Sequence, residues 1–155
     1  MPSDSFNRTN IFISYSHRDA DWLRRLQVFL RPLEREGLIE RWDDTRLRTG
    51  QRWEDEIEKA LASAKVAILL ISADFLASDF ITNNELPPLL AAAQSKGLVV
   101  MPVLLKPCRF SRTPSLSVFQ AVNPGLKPLV DMTEGEQDAL WDRLTREIEE
   151  LLPPP

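Results

Sequence analysis

Residues 66–71, VAILLI, are apolar at every position, and that continuity constrains the fold more than any other stretch of the chain. A strand with one wet face alternates apolar and polar side chains, whereas an unbroken run of this length reads as a strand covered on both faces. Two further runs, 11–13 and 98–105, behave the same way. Strands of this kind, separated by helical patterns, belong to a parallel sheet enclosed between helix layers.

The intervening segments supply the helices. Across 19–36, Trp22, Leu26, Phe29, Leu30 and Leu33 recur at helical spacing with arginines and glutamates opposite, Pro32 is expected to kink the last turn, and Gly37 supplies a stop. A short strand is expected at 39–42, followed by a polar connection, 43–51, whose one hydrophobic residue is Leu47; such a connection is a functional-loop candidate. A second helix begins near Arg52, with Glu54, Asp55 and Glu56 at the positive end of its dipole and Ile57, Ala60, Leu61 and Ala64 facing inward. Pro102 removes a ladder donor from the strand at 98–105, which suits an edge or irregular position. Residues 127–131 read as a fifth strand, and Leu140, Leu144, Ile148, Leu151 and Leu152 line a closing amphipathic helix that the terminal prolines cannot extend. The expected fold is therefore flavodoxin-like: a three-layer α/β domain with a central five-stranded parallel sheet, right-handed crossovers and helices on both faces.

With 155 residues and 43% hydrophobic content, the chain has the size of one domain, expected at 10–152, between an N-terminal tail at 1–9 and the start of a Pro-rich linker or tail at 153–155. The single cysteine, Cys108, has no partner in the chain, no apolar run reaches the roughly 18 residues of a membrane span, and no signal-peptide pattern opens the sequence. A cytoplasmic location without membrane contact is expected. The 19 basic and 23 acidic residues are interleaved and form no basic stripe, so nucleic-acid binding is not expected. The chain contains neither a G-x-G-x-x-G nor a P-loop motif, which disfavours hydride transfer and NTP hydrolysis. Asp43 and Asp44 have no companion histidine or acidic cluster at ligand spacing, so no metal site is expected. His17 and Cys108 read as structural or exposed residues, not as members of a hydrolase dyad.

The segment 66–90, VAILLISADFLASDFITNNELPPLL, carries a lone carboxylate, Glu85, toward the end of the buried strand, where the chain turns polar at Ser72. Open α/β sheets bind ligands at that strand end. Two readings of Glu85 stay open. Thr82–Asn83–Asn84–Glu85 fits a capping box, in which the glutamate bonds the helix entry. Pro87 and Pro88 lack N–H groups and clash with a helix begun so early, so a start at 84–86 fits as well and sets Glu85 at a helix N-terminus, where the dipole keeps it ionised.

Taken together, FISYSHRDADW after the first strand, WDDTRLRTGQRW after the second, LLISADFLASDFITNNEL after the third and the later MPVLLKPCRF resemble a TIR domain over 10–151, most of all the prokaryotic members. One departure is that Phe80 and Ile81 stand where many relatives carry an aromatic residue followed by cysteine. The resemblance implies one of two functions, scaffolding through TIR–TIR contact or cleavage of the nicotinamide–ribose bond of NAD. It places Glu85 at the catalytic glutamate of the enzymes. It makes 43–51 the counterpart of the BB loop, which in assembled enzymes leans onto a neighbouring subunit and helps complete the site, and it sets 14–18 in the same crevice.

The site expected on these grounds has Glu85 as catalytic residue, with Ser14, Tyr15, Arg18, Trp42, Asp43, Arg48, Ser72, Phe75 and Phe80 binding substrate. Asp43 would orient a ribose hydroxyl or shape the loop, and Arg46 and Arg48 would meet phosphate or a neighbour's acids. One or two of the aromatic residues Tyr15, Trp42, Trp53, Phe75 and Phe80 would stack on a base, with Trp53 read as a packing residue because it opens a helix that faces the sheet. No cofactor is expected, since NAD is the substrate. The expected partners are other TIR domains, in a homo-oligomer or filament, and a fused or associated sensor domain. The implied activity releases nicotinamide and ADP-ribose or a cyclic ADP-ribose, is switched on by oligomerisation and serves anti-phage defence; the alternative is a non-catalytic module acting by homotypic assembly.

Overall fold

Four parallel strands, β1 (Asn10–Ser14), β2 (Glu40–Trp42), β3 (Ala64–Ile71) and β4 (Val99–Leu104), form one sheet in the order β2-β1-β3-β4. The computed structural model describes residues 8–153, so most of the expected N-terminal tail and the last two prolines lie outside the described residues. Phe12 of β1 lies opposite Trp42 on one side and Ala67 on the other, and Ile71 lies opposite Leu104, which aligns the carboxyl ends of the strands.

Six α-helices are found among the described residues: α1 (Ala20–Arg35), α2 (Trp53–Ala62), α3 (Ala73–Ala77), α4 (Leu86–Ser95), α5 (Pro114–Ser117) and α6 (Glu134–Leu151). The lack of alternation in β3 now has its cause, because both faces are covered. Val66, Ile68 and Leu70 pack with Leu26 and Leu30 of α1 and Trp141 and Leu144 of α6, while Ala67, Leu69 and Ile71 pack with Ile57 and Leu61 of α2 and Leu89 of α4. The result is the expected three-layer fold.

Local chemistry sets the helix ends. Helix α1 runs through Pro32 to Arg35, and Gly37, at φ 74°, takes the left-handed conformation that ends it. Leu38 N–H then reaches the Leu33 carbonyl at 2.9 Å and Gly37 N–H reaches that of Glu34 at 3.0 Å, the paired bonds of a Schellman motif. Helix α6 starts on a complete capping box between Thr133 and Glu136.

The expected fifth strand does not form. Within 127–131, residues Leu129–Asp131 make a 3-10 turn instead. Pro124 and Pro128 interrupt this region, and Gly125 and Leu126 both have positive φ, at 59° and 60°, which no strand accommodates. An irregular segment covers the edge of β4 in its place. Val122 N–H donates to the Pro102 carbonyl at 2.9 Å, and the Asn123 side chain accepts from Leu104 N–H at 2.7 Å and donates to its carbonyl at 2.9 Å. A single amide thus substitutes for the peptide of a neighbouring strand, and Pro102 occupies an edge where its missing N–H has no ladder partner to lose. Among the described residues, no helix is long and apolar enough to cross a membrane.

Candidate active site

A cavity of about 450 Å³ opens at the carboxyl ends of the strands. Its walls come from the loop after β1 (Tyr15, Ser16, His17, Arg18), the turn after β2 (Asp44, Leu47), the first residue of α2 (Trp53) and the segment between α3 and α4 (Ser78, Phe80, Ile81, Glu85). In the order β2-β1-β3-β4 the chain changes direction of travel beside β1, and ligands of open α/β sheets bind at such a switch point.

Glu85 reaches the cavity by way of a widened turn. Residues Ile81–Glu85 form a single π turn closed by a bond from Leu86 N–H to the Ile81 carbonyl, and α4 begins at once with Pro87 and Pro88 in its first turn. Two successive residues without N–H groups cannot bond back to the preceding turn, so Leu86 provides the last donor before regular helix starts. Turns of this type recur at functional sites. The capping-box reading of Thr82–Glu85 is not realised: the side chain that caps this helical run is Ser78, whose hydroxyl accepts from Ile81 N–H at 3.2 Å. The same T-x-x-E spacing at Thr133–Glu136 does form a box, with Glu136 in solvent, whereas Glu85 is 5% exposed.

Burial decides the electrostatics of Glu85. It is the largest influence on the carboxyl group and pushes its pKa up to about 7, against an opposing pull from the Ser14 hydroxyl; Asp44 raises it further and His17 lowers it. The expected helix start at 84–86 is not found: the chain is already helical at Asp79 and stays so through the π turn into α4, so Glu85 lies inside a helical run and not at an N-terminus, and burial sets its charge. Ser14 is fully buried, with its hydroxyl beside the Glu85 carboxyl group. Tyr15 is held as a neutral phenol, its pKa raised first by burial and then by the adjacent Asp44.

Four expected ligand residues turn out to be structural. Ser72 is buried, caps α3 by accepting from Phe75 N–H at 3.1 Å, and donates to Asp19. Phe75 is fully buried in the core on the α2–α4 side of the sheet. The ring of Trp42 stacks on Phe12, with centroids 5.0 Å apart. Asp43 is fully buried, takes an ion pair from Arg41, and accepts from Thr45 N–H at 3.0 Å to cap the turn Asp44–Arg46; of its two proposed roles, this geometry serves the shaping of the loop. Arg46 and Arg48 are exposed and lie outside the cavity lining. Gly50, at φ 91°, sits third in a turn closed from Gln51 N–H to the Arg48 carbonyl at 3.1 Å, the place where positive φ calls for glycine.

Glu85, Tyr15, Arg18 and Phe80 do converge, and Ser14 lies beneath them. Three residues at or beside the cavity make contacts the sequence did not show. Trp53, expected to be pure packing, lines the cavity and meets Phe80 edge-on. His17 contacts Asp44 across the mouth. Asp19, 1% exposed, joins the Ser72 hydroxyl to Lys106 Nζ, 3.3 Å away, and so ties together the chain after β1, β3 and β4. Nothing in the spacing of these residues signalled a partnership. Among the described residues, no three His, Cys, Asp or Glu side chains gather as metal ligands would.

A family model described as TIR domain matches residues 11–145. The protein y4lF of Sinorhizobium fredii (strain NBRC 101917 / NGR234), itself uncharacterized, is 32% identical over 105 residues, which cover 68% of this chain and 32% of that protein; the chain thus spans about a third of that relative's length. Among solved structures, the TIR domain of the Toll-related receptor TRR-2 from Hydra magnipapillata is similar with a TM-score of 0.55 and 21% identity, over 89% of this chain and 96% of the other. The TIR domains of the activated Roq1 resistosome, which directly recognizes the pathogen effector XopQ, are similar with a TM-score of 0.52 and 20% identity, over 94% of this chain and 86% of the other. At such identities the two structures speak for the fold.

Proposed function

The chain belongs to the TIR domain family, and from that premise we propose that it is an NAD glycohydrolase, cleaving the nicotinamide–ribose bond with Glu85 as its catalytic residue. The observation that carries this reading is a single buried carboxylate at the floor of a cavity with aromatic walls, at the strand-end switch point.

One carboxylate is enough for this bond. Sugar hydrolases commonly need a second, acidic group because an alkoxide leaves poorly unless protonated. Nicotinamide is already a cationic pyridinium in NAD and departs as a neutral amine, so the remaining task is to stabilise positive charge on the ribose. An ionised Glu85 at about 4 Å, with an effective dielectric near 20, attracts that charge by about 4 kcal/mol. Realised only in the transition state, this is worth roughly a thousandfold in rate. Burial raises the Glu85 pKa to about 7; a cationic substrate favours the ionised form and thereby prepares the group for its task. The half-exposed Phe80 and its partner Trp53 offer a face for a flat ring, and Arg18 at the lip offers a cation for phosphate.

Clustering is the proposed switch. The turn after β2 contributes Asp44 and Leu47 to the wall of a cavity that is partly open to solvent, and a neighbouring copy would cover it. Anti-phage defence in the cytoplasm, through NAD loss triggered by a sensing partner, is the biological role the resemblance suggests for such an enzyme. The competing function is a scaffold that recruits other TIR domains without chemistry. Nicotinamide release from NAD, followed as the protein is tethered at rising density, separates the two. A rate per molecule that climbs with density supports the enzyme; no release at any density supports the scaffold.

A further inference from the structure

We propose that His17, held by Asp44, is the general base that deprotonates the water attacking the ribose carbon, a role that rests on the reading of Glu85 given above. His17 Nε2 contacts Asp44 Oδ2 across the mouth of the cavity and joins the loop after β1 to the turn after β2. Both residues line the cavity that Glu85 lines. The Tyr15 ring supports the imidazole, with centroids 5.5 Å apart and planes at 53°.

A carboxylate that accepts from one ring nitrogen sets the tautomer: Nε2 carries the hydrogen, and Nδ1 keeps a lone pair. The other titratable and charged groups facing this space are Tyr15, Arg18, Asp44 and Glu85. Arg18 has no acceptor. Tyr15 stays protonated because burial and Asp44 both hold its proton. Asp44 is engaged by the imidazole, and Glu85 is committed to the ribose. His17 is left to take a proton, and its side chain is 77% exposed, so water reaches it freely.

The step balances without a further reactant. The bond from C1′ to the pyridinium nitrogen breaks, and its electron pair leaves with neutral nicotinamide. Water oxygen bonds to C1′, its proton passes to His17 Nδ1, and the imidazolium returns that proton to solvent. The products are nicotinamide, ADP-ribose and one proton. Glu85 thus acts on bond cleavage and His17 on the capture of water, and the two halves can be measured separately.

The experiment compares His17→Ala with the unaltered clustered protein in two reactions, hydrolysis of NAD and exchange of its nicotinamide for added 3-acetylpyridine, which needs cleavage but no deprotonation. The substitution is expected to lower hydrolysis about a hundredfold, to leave exchange within about threefold, and to let added imidazole restore hydrolysis. Hydrolysis that stays within about threefold overturns the proposal, and so does a parallel fall of both reactions without imidazole rescue, which would mean that His17 shapes or binds. If the unaltered protein supports no exchange, imidazole rescue decides alone. Absence of nicotinamide release from the unaltered protein removes the Glu85 reading and this one with it, whereas an active protein indifferent to His17→Ala removes only this one.

Discussion

The Trp53 ring meets the Phe80 ring edge-on, with centroids 5.1 Å apart and planes at 62°, which fastens the first residue of α2 to the segment that leads into Glu85. Phe80 nevertheless keeps 39% of its surface exposed, on the cavity side. A large ring left half open at the lip of a polar-floored cavity is placed to receive a flat partner.

Removing that ring should affect binding more than folding. A buried phenylalanine costs 3–5 kcal/mol on truncation. Phe80→Ala is expected to cost about 1 kcal/mol in urea unfolding, while the KM for NAD rises about tenfold and kcat stays within about threefold.

The pH dependence of bond cleavage follows from the protonation of Glu85. Its pKa is raised to about 7 and the ionised form is the active one, so kcat/KM should climb with pH up to about 7 and level off above it. Initial rates of nicotinamide release between pH 5 and 9 check this; a profile flat below pH 7 contradicts it.

Stability should move in the opposite direction. With a folded pKa above its ordinary value of 4.5, Glu85 holds a proton in the folded chain that the unfolded chain has already released, so stability falls as pH rises from 4.5 to about 7. Glu85→Gln removes the titration and is expected to stabilise the fold by on the order of 2 kcal/mol at about pH 8, with the gain vanishing below about pH 4.5. Urea midpoints at the two pH values provide the comparison.

Asp43 and Arg48 were expected together as ligands, and they should part in stability measurements. Asp43→Ala deprives Arg41, Thr45 and Gln27 of a shared acceptor, although Arg41 keeps Glu34 at 3.2 Å. A loss of about 3 kcal/mol is expected, whereas Arg48→Ala should stay within about 0.5 kcal/mol.

The buried strands were legible because two-sided burial removes alternation, a signal that survives without any knowledge of neighbours. Glu85 was legible through the resemblance of its segment to a TIR domain, whereas Pro87 and Pro88 pointed to a helix start at 84–86 that falls instead before the π turn. The ionisation of Glu85 was not legible, since Ser14, His17 and Asp44, which act on its carboxyl group, arrive from distant parts of the chain. Ser72 and Phe75 lie beside the cavity in sequence, yet the N-cap of α3 turns one into a structural acceptor and the other into core. The missing fifth strand failed for a local reason, the prolines and positive φ values of 124–128, while its substitute, the Asn123 side chain, depends on contacts about 20 residues apart.

The central claim is tested most directly by nicotinamide release from NAD with Glu85→Gln beside the unaltered protein, at equal density on the same support. The substitution keeps the shape and removes the charge. The account predicts a loss of about a thousandfold with the fold intact; a substituted protein as active as its parent would contradict it.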